Sequence, residues 1–143
     1  MKTWVVDASV AAKWLLPAAG ESLLEQANRL AEQHVKRDLQ LIAPSLIEAE
    51  IGNVLWKSVR RKRISSAEAE VSLHHFTALA IQMVPASDLL IQTLQVAISW
   101  DRTFYDSLYV ALAVATETEL ITADERLVNA IGSRLPVRWL GVF

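Results

Sequence analysis

The stretch KTWVVDASVAAKWLLP, residues 2–17, decides the fold. Residues 3–6 are β-branched or aromatic and read as a short buried strand that ends at Asp7. Residues 9–16 then read as a helix, stopped by Pro17. The same unit recurs along the chain. Residues 21–37 form a helical pattern with Leu23, Leu24, Ala27, Leu30 and Ala31 on one stripe, and 40–43 a second strand. A long helix over 45–63 is entered through Pro44; another covers 65–80, and 82–84 is a short strand closed by Pro85. Helices over 87–99 and 105–117 lead to a strand at 119–122, a helix at 124–131 and a last strand at 137–142.

Strands alternating with helices predict an α/β fold: three layers, α/β/α, around a mainly parallel sheet of four to five strands. In such sheets, ligand sites lie outside the carboxyl ends of the strands. The chemistry is therefore sought just after strands and in first helical turns.

Composition narrows the class. The chain has 143 residues, the size of one domain spanning 1–143. It has no cysteine, which excludes a disulfide scaffold, a thiolate metal site and a cysteine nucleophile. The longest apolar run, residues 108–115, is far short of the ~20 needed to span a bilayer. Asp7 interrupts the start before any signal-peptide core can form. A cytoplasmic protein, with no membrane contact, is expected. There is no GxGxxG and no GxxxxGK[ST] phosphate loop. Ser9, Ser107 and Thr122 have no His partner in context, so a hydrolase triad is unsupported. His34, His74 and His75 lack metal-ligand spacing and are assigned surface or packing roles.

Four acids from separate segments fall on the expected edge. Asp7 follows the first strand, Glu50 lies in the helix after the second, Asp106 opens a helix, and Asp124 follows the strand at 119–122. Each could serve as a cap or dipole partner alone; four sharing one edge point to a site. Two unit charges ~5 Å apart at an effective dielectric of ~20 repel by about 3 kcal/mol, which a cation relieves. Clustered carboxylates without softer donors suit Mg²⁺ or Mn²⁺. Such an ion activates water and neutralises a phosphate, so metal-dependent phosphodiester hydrolysis is the inferred class.

Ser45 and Glu48 have capping-box spacing, which gives Glu48 a structural job and leaves Glu50, about 200° around the helix, for the site. Asn53, Val54, Lys57 and Arg61 share Glu50's face, and Lys57 and Arg61 are expected to contact substrate phosphates. Those two belong to a basic run with Arg60, Lys62 and Arg63, in a chain whose net charge is −2; the run reads equally well as a solvated helix end whose cations complement the dipole. Trp4, Trp14, Trp56, Trp100 and Trp139 are assigned to core or interface packing rather than base stacking. A positive mean hydropathy of +0.26 predicts surplus apolar surface, expected at Trp56 and on the second and fourth helices.

The motifs VVDASV (5–10), PSLIEAEIGNVL (44–55), YDSLYVALA (105–113) and LITADERL (120–127) resemble the PIN-domain family, and in particular its VapC-type ribonuclease toxins of toxin–antitoxin pairs. The resemblance covers essentially the whole chain, in order. It implies a PIN-like parallel sheet flanked by helices and a Mg²⁺- or Mn²⁺-dependent endoribonuclease. The family's acidic positions match Asp7, Glu50, Asp106 and Asp124. Asp7, Asp106 and Asp124 would hold the metal, with Glu50 either ligating or orienting the attacking water. Ser9, Asn53 and Thr122 match the positions that steady carboxylates or water. The family implies a homodimer and a small antitoxin inserting a segment near the site. The rival readings are a PIN nuclease of RNA maturation and a non-catalytic binding module. A receiver domain or DxD phosphatase is disfavoured, because Ala8 and Ser9 follow Asp7 where a second acid is needed.

Overall fold

The computed structural model describes residues 1–16 and 22–143. The expected stop at Pro17 and helix start at Glu21 lie outside the described residues. The elements run β1 (Lys2–Val6), α1 (Ala8–Leu15), α2 (Leu24–Val35), β2 (Leu39–Pro44), α3 (Leu46–Arg60), α4 (Ser66–Ala78), β3 (Gln82–Val84), α5 (Leu90–Trp100), α6 (Phe104–Ala115), β4 (Glu119–Thr122), α7 (Glu125–Ile131) and β5 (Val137–Trp139).

All five strands are parallel, in the order β3-β2-β1-β4-β5. From β1 the chain steps outward to β2 and β3, then returns to place β4 on the other side of β1. Right-handed crossovers therefore put α1–α4 on one face of the sheet and α5–α7 on the other. The direction reverses between β1 and β4, and the crevice at such a reversal is where open α/β sheets hold ligands.

The central strands are buried on both faces: Val5, Val6, Leu41, Ala43, Leu120 and Ile121 are fully enclosed, as parallel sheets require. The run from Ser107 to Ala113 in α6 is likewise buried, because α6 packs on β1, β2 and β4 while α5 covers its outer side. His34 takes the packing role expected of it. Its Nδ1 accepts from the Leu41 amide at 3.1 Å, so Nε2 carries the proton it donates to the Leu79 carbonyl at 2.8 Å. No helix among the described residues is long and apolar enough to cross a membrane.

Three expectations about local structure are corrected. The last strand ends at Trp139, and residues 140–142 form a 3₁₀ turn. Residues 86–89 are also 3₁₀, so α5 is shorter than its pattern. Ser45 does not cap α3. Its backbone is already helical (φ −58°, ψ −20°), and its amide donates to the Val84 carbonyl at the sheet edge; a capping side chain needs an extended backbone. The capping box forms instead at Ser65 and Glu68. Finally, five helices (α2 to α6) end through a left-handed residue that is not glycine: Arg37, Lys62, Ala80, Asp101 and Glu117. After α3, the Lys62 amide bonds Val59 and the Arg63 amide bonds Ser58, closing the helix end.

Candidate active site

The register of β1 on β4 pairs Val6 with Ile121, so Asp7 and Thr122 leave their strands at the same level. Asp7 then caps α1, its Oδ1 accepting from the amides of Ser9 (3.1 Å) and Val10 (3.3 Å). Asp124 caps α7 in the same way, through the amides of Arg126 and Leu127. Capping is what turns these carboxylates inward over the helix starts, so the structural role and the site are one arrangement.

Hydroxyls tie the two strand ends together. Ser9 Oγ donates its one proton to Asp7 Oδ1 at 2.5 Å and accepts from the Ala123 amide at 2.9 Å. At 3.3 Å from Ser9 Oγ, Thr122 is therefore the donor of that pair, while its own oxygen accepts from the Asp124 amide. Thr103 caps α6 by accepting from the Asp106 amide, which fixes Asp106 in the first turn.

A cleft of about 160 Å³ results, lined by Asp7, Ala8, Ser9, Glu50, Asp106, Tyr109, Asp124 and Leu127. All four acids singled out in the sequence reach it. Thr122 lies just beneath, fully buried. Asn53, Lys57 and Arg61 do not line it; they are exposed further along α3. Glu48 points to solvent.

Tyr109 was missed by the sequence reading. Its hydroxyl donates to Glu50 Oε1 in a short bond that joins α6 to α3. The available signal was the i, i+3 spacing from Asp106, which puts both on one helix face. Burial, the neighbouring Glu50 bond and the nearby acids push the Tyr109 hydroxyl far above its usual range, so it stays a donor.

The cleft is electrostatically loaded. Burial pushes Asp7 up to about 6, with the Asp106 charge adding to it, against the lowering bonds from Ser9 and the Val10 amide and the lowering influence of the nearby Thr122 hydroxyl. Glu50 is raised by burial and by Asp106, against the Tyr109 bond. Asp106 is raised by burial and by Asp124, with Thr103 and Arg102 opposing. Among the described residues no three acids or histidines stand together as a ready coordination cage. The four carboxylates line the cleft rather than close on one point. As a donor set they fit a hard divalent cation: oxygen only, with a mutual repulsion that positive charge relieves.

A five-stranded parallel sheet with acids gathered at its switch point defines an α/β protein with a carboxylate-lined cleft. The PIN domain family model matches residues 4–132. Ribonuclease VapC9 of Mycobacterium tuberculosis is 32% identical over 133 residues, 93% of this chain and 94% of that protein. Ribonuclease VapC1 of the same organism is 41% identical over 91 residues, 63% of this chain and 67% of that one. A chain in the crystal structure of VapBC2 from Rickettsia felis, bound to a DNA fragment from their promoter, matches with TM-score 0.67. That match covers 96% of this chain and 98% of that one, at 12% identity. The chain belongs to the PIN-domain family, and within it to the VapC ribonucleases.

Proposed function

We propose that this protein, one PIN-type nuclease unit over 1–143, is a Mg²⁺- or Mn²⁺-dependent endoribonuclease of the cytoplasm and the toxin of a toxin–antitoxin pair. The observation that carries the reading is the cleft at the β1/β4 switch point, where Asp7, Glu50, Asp106 and Asp124 converge in a chain of the VapC family. Asp7, Asp106 and Asp124 are read as the residues that hold the ion, Ser9 as the bond that keeps Asp7 in place, and Thr122 as the hydroxyl that supports it through Ser9. Bound there, a divalent cation would neutralise phosphate charge and acidify a water. Glu50, held by Tyr109, is read as the general base that would take a water's proton, a role that its raised affinity for protons suits.

Cleavage of RNA is expected with Mg²⁺ or Mn²⁺ and to cease in excess EDTA. Full activity in EDTA would sink the metal mechanism. The antitoxin is read from the family and from the VapBC2 assembly. It is tested in the same assay by adding the product of the adjoining reading frame; undiminished cleavage would count against it.

The proposed homodimer rests on α5. Surplus apolar surface lies there rather than mainly on α2 and α4: Leu90, Ile91, Leu94 and Ile98 form an outward stripe, with Ile91 70% and Ile98 73% exposed. A two-fold axis would bury this stripe against its copy. Sedimentation is expected to give the dimer mass for the wild type and the monomer mass for Ile98→Glu. A wild-type monomer at high micromolar concentration would overturn the dimer.

A further inference from the structure

We infer that Trp56, with Lys57, Arg60 and Arg61, forms a subsite for single-stranded RNA in which an unpaired base stacks on the indole and neighbouring phosphates meet the cations. This rests on the proposed ribonuclease function and adds a recognition element outside the cleft.

Trp56, assigned with the others to core or interface packing and expected in the surplus apolar surface, is the most exposed of the five tryptophans. Trp4 is buried against Phe143, and Trp14 donates its indole proton to the Ala27 carbonyl at 2.7 Å. Trp100 and Trp139 are partly covered, whereas Trp56 is 54% exposed. The Arg60 guanidinium stands 5.3 Å from its ring centre, and much of the indole stays open even so. The two planar groups, with Lys57 and Arg61, line a hollow of about 280 Å³ that can admit a flat base.

The charge around the hollow has one sign. Among the described residues none of Lys57, Arg60, Arg61, Lys62 and Arg63 forms an ion pair, although cations elsewhere do, as Arg29 with Glu25 and Arg138 with Glu119. No acid among the described residues pairs with them, and an aromatic plane among such cations suits single-stranded nucleic acid. A duplex keeps its bases stacked inside and cannot offer them to the indole.

The hollow is also well placed. Lys57 lies seven residues, almost two full turns, after Glu50 on the same helix face, about 10 Å along the axis. A strand whose scissile phosphate lies in the cleft can follow α3 to the hollow. Stacking accepts any base, so the subsite would add affinity and a demand for unpaired RNA without adding sequence choice.

The test is binding of a short labelled single-stranded RNA in EDTA, with KM for the same RNA in Mg²⁺. Trp56→Ala is expected to weaken binding and raise KM by roughly 5- to 100-fold, while Trp56→Phe keeps most of the affinity. Binding of the matching duplex should not change. Replacing both Lys57 and Arg61 by Gln should flatten the salt dependence by up to about 1.4 in log–log slope. Since Trp56 is a surface residue, unchanged melting is the check on folding. Unchanged affinity and KM in Trp56→Ala overturn the subsite and leave the nuclease standing. So does a Trp56→Ala variant that binds RNA normally but loses an acidic peptide, which would make the patch a protein-docking surface. Wild-type protein that neither binds nor cleaves RNA overturns the parent reading as well.

Discussion

Asp7→Asn is expected to reduce RNA cleavage to background while making the metal-free fold firmer at neutral pH. Asparagine matches aspartate as an N-cap, and its Oδ1 can still accept from the amides of Ser9 and Val10. What it loses is the charge. In the unfolded chain this carboxyl titrates near its ordinary 3.8, and in the fold near 6. Below the lower value both states are protonated and Asp7 costs nothing. As pH rises from about 4 to 6 the unfolded state sheds the proton first, so stability falls; above 6 the full penalty persists. A shift of about two units corresponds to the order of 2–3 kcal/mol. Wild type and variant should therefore melt alike near pH 3.5, with the variant melting higher at pH 7 and above. Melting curves across that range, without metal, check the stability part; an RNA cleavage assay checks the rest. If the variant melts lower at pH 7 and still cleaves, Asp7 is a helix cap alone.

Glu50→Gln is expected to lower cleavage by at least a hundredfold with little change in melting, and Glu48→Gln to leave both near wild type. The two acids are two residues apart on α3 and point to nearly opposite sides. Glu50 reaches the cleft, half-buried, with its Oε1 held by Tyr109. Glutamine keeps the shape but can neither carry charge to an ion nor take a proton from water. Glu48 is exposed and caps nothing, because Ser45 is already helical; its loss should cost less than about 0.5 kcal/mol. Tyr109→Phe removes only the hydroxyl that steadies Glu50, and a loss of about 10- to 100-fold is expected. Kinetics and melting of these variants, side by side, decide the matter. An inactive Glu48→Gln would move the site to the other face of α3.

The Glu48 and Glu50 pair shows how the side that lines the cleft can be chosen by an argument the structure does not support. Helical geometry alone separates the two faces, and the face carrying Glu50 is the one that meets the cleft. The capping argument failed because Pro44 ends β2 and the Ser45 amide is engaged by β3, a neighbour 39 residues away. Helix ends were also hard to read. With four glycines in the chain, α2 to α6 close through Arg37, Lys62, Ala80, Asp101 and Glu117 in left-handed backbone. Nothing local marks those residues as stops, since the αL conformation costs an L-residue energy that only the assembled fold can offset.

Local pattern by itself determined the alternation of strands and helices, and with it the parallel sheet and the placing of Asp7 and Asp124 at strand ends. Periodicity and turn residues act over a few positions, so they can be read in order along the chain. Strand order was beyond such reading. Only the packed sheet sets β4 beside β1, which lets Ser9 reach Ala123 and Thr122 across more than a hundred residues. Only the assembled fold, with α6 and α3 on opposite faces of the sheet, brings the Tyr109 hydroxyl to Glu50 at the cleft. Tertiary packing decided how far each tryptophan is covered: Trp4 is buried against Phe143, whereas Trp56, expected in the surplus apolar surface, stays 54% exposed with the Arg60 guanidinium over its ring. Burial belongs to the assembled surfaces rather than to the residue type, which is why the hollow between the Trp56 indole and the Arg60 guanidinium appears only in three dimensions.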